Sequence, residues 1–183
     1  MSVQTNKQTA DQKGFSLLEL LLVVAVGAVL ILAGLAAYRL VSENNNVNEA
    51  LRLLNTLKQQ IQTAYQGEGE YSGDVLITLR DLRAFPAGVL NAAGDTANHP
   101  FGGTITFAVD DQTFDINYNG IRRSACIAIG QAFDTTADSD LSAFEIDGAS
   151  PDTGGDGIDL ADLQAACPAD NDTAGLTMTW TFF

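Results

Sequence analysis

Histidine, cysteine and positive charge are all scarce in this chain of 183 residues, and each scarcity closes off a kind of chemistry. His99 is the sole histidine, so any triad with an imidazole base has to use it, and its place between Asn98 and Pro100 reads as a turn. The only cysteines, Cys126 and Cys167, lack the further Cys or His ligands that a structural zinc centre needs. Lysine and arginine total 9 against 23 aspartates and glutamates, a formal net charge of −14. From Gly67 onward the imbalance is 19 acidic to 4 basic side chains, net −15. Such a surface repels phosphates, which excludes a nucleic-acid-binding head. Arg122-Arg123 is too small a basic cluster to alter that, and reads as a solvated turn.

Two further absences concern the N-terminal third. No proline falls between Phe15 and Gln66. No apolar stretch precedes Gly14: the first 14 residues are polar, with Lys7 and Lys13 against a single Asp11. An ordinary secretory signal, in which the apolar stretch is removed, is therefore not what the chain carries.

The apolar stretch lies after the glycine. From Leu20 to Tyr38 there are 19 residues without a charged side chain. As a helix they extend about 28 Å, close to the roughly 30 Å hydrocarbon thickness of a bilayer. The segment reads as a membrane-spanning helix. Positive charge in the short polar leader places that end in the cytoplasm and sends the remainder outward. Cys126 and Cys167 then meet an oxidising compartment, where a disulfide between them is expected. Glu19 stands just inside the span. At the headgroup level a carboxylate costs little, whereas near the bilayer centre it costs about 2.5–3.5 kcal/mol on insertion scales.

Beyond the span, Val47, Ala50, Leu51, Leu54, Leu57, Ile61, Ala64 and Tyr65 recur at steps of three and four, with Arg52, Asn55, Lys58, Gln59 and Gln62 on the opposite face. This predicts one helix over Phe15–Gln66, loosened near Asn44–Asn46 and ended by Gly67-Glu68-Gly69-Glu70. Gly27 and Gly34, seven residues apart, share a face, where they either allow close helix approach or are simply tolerated small residues. Further along, Thr78 is expected to cap a short helix through Arg83. Asn98–Gly103 is a turn, and Thr104–Val109 with Thr113–Tyr118 alternate as a hairpin around Asp110-Asp111. Ala125–Phe133 and Asp159–Cys167 read as short helices bearing the two cysteines, Phe144–Gly148 as a strand ending in a turn, and Leu176–Phe182 as a final strand. Asp152, Asp156, Gly157, Asp159 and Asp162 lie in a segment, 152–162, with part of a calcium-loop pattern. Gly154 occupies its third ligand position and the closing acid comes one residue early, so a solvated acidic loop is the reading, with no metal and no cofactor expected.

Lys13-Gly14-Phe15-Ser16-Leu17-Leu18-Glu19, followed by the apolar run, resembles the class III signal of type IV prepilins. The resemblance implies that a prepilin peptidase cuts after Gly14 and N-methylates Phe15. It also gives Glu19 an assembly role, pairing with the α-amino group of a neighbouring subunit when the helices pack into a filament. The turn Asn98-His-Pro-Phe-Gly-Gly103, the Ala125-Cys-Ile segment and Cys167 ahead of Thr177-Met-Thr-Trp-Thr181 look most like type IVb pilins. Two departures are the short leader and Phe15 as first mature residue, both more usual in type IVa. The proline that kinks many type IVa helices is matched here by Ala36.

The expected fold is α+β: a long N-terminal helix, its second half laid on an antiparallel sheet, and a disulfide-closed C-terminal region. The expected division is a leader over 1–14, an apolar assembly helix over 15–41, an amphipathic half over 42–66 and a globular head over 67–183. The resemblance implies a structural subunit, not an enzyme, of a type IVb-like pilus serving adhesion, motility or conjugation. Implied partners are further copies of the chain in a helical homopolymer, the prepilin peptidase, inner-membrane assembly machinery and membrane lipid before assembly. The implied location is the inner membrane, single-pass with the head in the periplasm, and then a fibre on the cell surface. A minor pilin or type II secretion pseudopilin is the alternative within the class. A membrane-anchored periplasmic enzyme or binding protein is the alternative outside it.

Overall fold

The computed structural model describes residues 17–133, 139–151, 158–168 and 175–183. The chain divides into two compact units, Met1–Val41 and Ser42–Phe183. Helix α1 covers Leu17–Ala64, so its first part belongs to one unit and its second part to the other. In the first unit, the large apolar side chains described from Leu17 to Tyr38 are each more than half exposed. Each such side chain gains about 1.5–3 kcal/mol on burial, so a row of them forgoes tens of kcal/mol in water. Among the described residues this is the one helix long and apolar enough to cross a membrane.

In the second unit the stripe on α1 does what its spacing predicts. Val47, Ala50, Leu54, Leu57, Ile61 and Tyr65 are buried, joined by Leu53. The asparagine run does not loosen the helix: Asn44–Asn46 are helical, and the Asn48 side chain donates back to the Asn44 carbonyl. The helix stops at Ala64, and Gly67 then takes a left-handed φ of 101°, a conformation that glycine adopts without steric cost. Lys58 departs from expectation. It is buried rather than solvent-facing, because it follows Leu54 by four and precedes Ile61 by three on the same stripe. Its ammonium lies 3.2 Å from an Asp140 carboxylate oxygen and 4.9 Å above the Phe182 ring, so the stem packs while the charge is met. Lys58 in turn holds the Asp140 carboxyl below its usual range, chiefly by hydrogen bonding.

The core facing this stripe is a five-stranded antiparallel sheet. Its strands are β1 (Ala97–Asn98), β2 (Thr104–Asp110), β3 (Thr113–Ile121), β4 (Leu141–Ile146) and β5 (Leu176–Phe182), in the order β1-β2-β3-β5-β4. The last strand therefore sits inside the sheet. Period-two alternation sends Phe114, Ile116 and Tyr118 of β3, and Met178, Trp180 and Phe182 of β5, into the core. The opposite face is polar and locks the register: Thr177, Thr179 and Thr181 donate to side-chain oxygens of Asn119, Asn117 and Asp115 at 2.7–3.2 Å. Tyr118 ties sheet to helix, its hydroxyl donating to the Ala50 carbonyl at 3.0 Å.

Among the described residues the unit also holds three short helices: α2 (Val75–Asp81), α3 (Arg123–Ala132) and α4 (Leu160–Ala166). The cap of α2 is Asp74, not Thr78, because the Asp74 carboxylate accepts from the Ile77 amide. The Thr78 hydroxyl, one turn inside, bonds back to the Asp74 carbonyl, and the helix ends before Arg83. Arg122-Arg123 is not a free turn but the start of α3. Asp159 caps α4 as expected, in a reciprocal capping box with Asp162. Part of the expected turn also pairs: Ala97–Asn98 form β1 against Ile105 and Thr104.

Candidate assembly site

Gly14 and Phe15, the expected cleavage and methylation positions, lie outside the described residues, as do 152–157 of the acidic loop. Glu19 occupies the first described turn of α1, with its side chain exposed. A carboxylate there favours the helix, since the N-terminal end of the macrodipole is positive. In the structure it stands at the head of the exposed apolar row. Buried by partner helices, that row would take Glu19 out of water with it. A desolvated carboxylate requires a cation and further hydrogen bonds to offset the loss. The element can thus do one thing: associate with apolar surroundings while demanding a positive partner at one level.

Cys126 and Cys167 meet in a disulfide, Cα to Cα 6.2 Å, both fully buried. It joins α3 to the residue that ends α4. The two helices approach closely beside it because Gly130 faces Leu163, where a Cβ on residue 130 would collide with the leucine side chain. The bond therefore clamps a pair of short helices that would otherwise be marginal alone.

His99 opens the expected turn, whose Gly102 amide donates to its carbonyl, but its ring is buried. It is 3% exposed, stacked on Tyr118 with ring centroids 5.1 Å apart. Nε2 lies 2.9 Å from the Asn119 carbonyl, and Nδ1 accepts from the Phe101 amide at 3.3 Å. These partners require the neutral ring with its proton on Nε2. Burial lowers the pKa of His99, against an opposing effect of the Asn119 hydrogen bond. Gly103 must lack a side chain, since a Cβ there would collide with the Asn119 carbonyl and the His99 ring. Among the described residues the ring bonds only to backbone groups, those of Asn119 and Phe101, and through them His99 holds the β1–β2 turn. Among the described residues no three His, Cys, Asp or Glu side chains are grouped to hold a metal ion.

Sequence reasoning overlooked Lys58 and the burial of His99. The signal for Lys58 was its position on the apolar stripe. For His99 it was Gly102-Gly103, which leave room for a ring against the sheet.

Comparison with known proteins places the chain. Residues 43–181 match the family described as PilS N terminal, and residues 9–35 match the prokaryotic N-terminal methylation motif. No curated protein matches significantly. Among solved structures, the type IV b pilin from Salmonella typhi is similar at 20% identity and a TM-score of 0.52, over 75% of this chain and 95% of that one. The type IV pilin TcpA from Vibrio cholerae El Tor biotype is found at 15% identity and a TM-score of 0.47, over 76% and 99% of the two chains. The long helix, the antiparallel sheet and the Cys126–Cys167 disulfide are those of a type IV pilin fold. The chain belongs to the PilS N-terminal family, carries the prokaryotic N-terminal methylation motif and has the fold of a type IV pilin.

Proposed function

We propose that this protein is the structural subunit of a type IVb-like pilus, cleaved after Gly14, N-methylated on Phe15 and polymerised into a surface fibre. The observation that carries the reading is the apolar row on α1 with Glu19 at its head. Before assembly the row rests in membrane lipid, with residues 1–14 on the cytoplasmic side and the region from Ser42 outward. On assembly it exchanges lipid for the helices of neighbouring copies. That exchange brings little hydrophobic gain, because lipid tails are as apolar as leucine. Specificity has to come from elsewhere, and the pairing of Glu19 with the amino group of a neighbouring Phe15 supplies it by setting the axial register. The acidic region from Gly67 on then coats the fibre and keeps it soluble. In this reading the protein works by packing and performs no catalysis.

The experiment is Glu19→Ala. In the fibre the change leaves the neighbour's ammonium buried without a partner, a loss of about 3–5 kcal/mol at every contact. Membrane-held subunit stays at wild-type levels, mass spectrometry still finds methylated Phe15 at its N-terminus, and sheared fibre protein disappears. Wild-type amounts of fibre from the alanine variant would remove the register mechanism, and an uncleaved Met1 on the wild-type protein would remove the processing.

A further inference from the structure

Between α1 and residues 86–89 the second unit carries a groove of about 630 Å³. Its floor is apolar, formed by Leu53 and Val89, at 6% and 8% exposure, beside Pro86. Its rim is polar: Asn48, Glu49 and Arg52 line it from successive turns of α1. An apolar floor with a polar rim is the composition of a contact patch rather than of a reaction centre.

Arg52 is the informative side chain. Two cations lie between Ser42 and Gln66, and Lys58 is engaged by Asp140. Arg52 is exposed and makes no ion pair among the described residues, although Glu49 is one turn away. An exposed arginine needs no partner in water. In a stack of copies whose heads from Gly67 on each carry a net charge of −15, however, repulsion between heads has to be offset where they touch. From Gly67 on, acidic side chains outnumber basic ones 19 to 4, so a neighbouring head that reaches the groove brings carboxylates to it.

We propose that this groove is a contact surface for a second copy of the chain, in which Arg52 receives a carboxylate of the neighbour while an apolar side chain seats on Leu53 and Val89. The proposal rests on the pilus-subunit reading and names the part of the head that assembly uses. The guanidinium fork matches a carboxylate in bidentate fashion, which Lys cannot reproduce.

Two variants test it in the full chain. Because Cys126 and Cys167 are bonded to each other, a thiol introduced as Asn48→Cys is free to take a benzophenone maleimide. Illumination of labelled fibres yields a covalent dimer of this chain, and illumination of the same protein monomeric in detergent does not. Arg52→Glu lowers sheared fibre about tenfold with unchanged thermal unfolding of the detergent-held subunit, and Arg52→Lys recovers part of the loss. Wild-type fibre from Arg52→Glu, no dimer from labelled fibres, or cross-linking of Asn48→Cys to lipid or to a different protein would each overturn the proposal while leaving the fibre reading intact. A wild-type chain that forms no fibre at all removes both.

Discussion

Breaking the Cys126–Cys167 bond in the double variant Cys126→Ala/Cys167→Ala should cost the second unit a large share of its stability while leaving the apolar half of α1 untouched. The two cysteines are 41 residues apart in sequence. In the chain-entropy treatment, cross-linking a loop of that length removes about 13 cal/mol/K from the unfolded ensemble, or roughly 4 kcal/mol at 25 °C. Both sulfurs are fully buried, so truncation to alanine adds the loss of their packing and shifts the total upward. For a unit of this size the unfolding entropy is about 0.3 kcal/mol/K, which converts the cross-link alone into a fall in Tm of roughly 13 °C. The assay is near-ultraviolet circular dichroism of the detergent-held protein, with Trp180 and its ring contacts to Tyr118, Phe133 and Phe144 as reporters of the core. Dithiothreitol should produce a comparable fall in the wild type and none in the double variant. A shift under about 3 °C would refute the reasoning, as would indifference of the wild type to reductant. The α3–α4 pair would then be held by the Gly130–Leu163 contact without help from the bond.

Three other outcomes are expected. Because burial depresses the His99 pKa, the stability held by its neutral ring is present above the unfolded value of about 6.5 and is lost as pH falls below it; Tm measured from pH 7.5 to 5 should therefore fall more steeply in the wild type than in His99→Gln, and a constant gap between the two curves would contradict this. Gly130→Val should lower the unfolding free energy by about 1–3 kcal/mol, read from the shift of the urea midpoint, since its side chain enters the space of Leu163; an unchanged midpoint would mean that α3 and α4 separate at no cost. Gly14→Val should leave full-length precursor in the membrane fraction on immunoblots, and normal maturation of this variant would move the cut elsewhere.

The parts of the fold legible in the sequence were those governed by a repeated spacing. The stripe on α1 runs for five turns, so one misplaced residue does not hide it: Val47, Ala50, Leu54, Leu57, Ile61 and Tyr65 are buried where steps of three and four put them, and Leu51 and Ala64 are half-buried beside them. The β2–β3 hairpin is equally clear, because Thr104–Asp110 and Thr113–Ile121 alternate on either side of Asp111, which turns the chain with a positive φ. Strand β5 could be read as a strand, but its place between β3 and β4 could not. That order depends on which sheet edge is open when the last segment folds, and no local pattern encodes it.

Single side chains were legible only where a local bond decides their environment. Asp159 could be read as a cap because its partner, the Asp162 amide, lies three residues away. For α2 two residues competed for the same role. Asp74 won because its carboxylate reaches the Ile77 amide, and Thr78 was then left with the backbone bond that hydroxyls make inside helices. His99 lies at the other extreme. Its ring contacts come from Tyr118 and Asn119, about twenty residues ahead, and they exist only once β2 and β3 have paired. Glu19 is further still from anything local. Its side chain is exposed in the subunit, so neither the sequence spacing nor the folded chain alone assigns it a partner. What the single chain does display is a carboxylate set at the head of an exposed apolar row, which would need a cation to offset its desolvation if that row were buried.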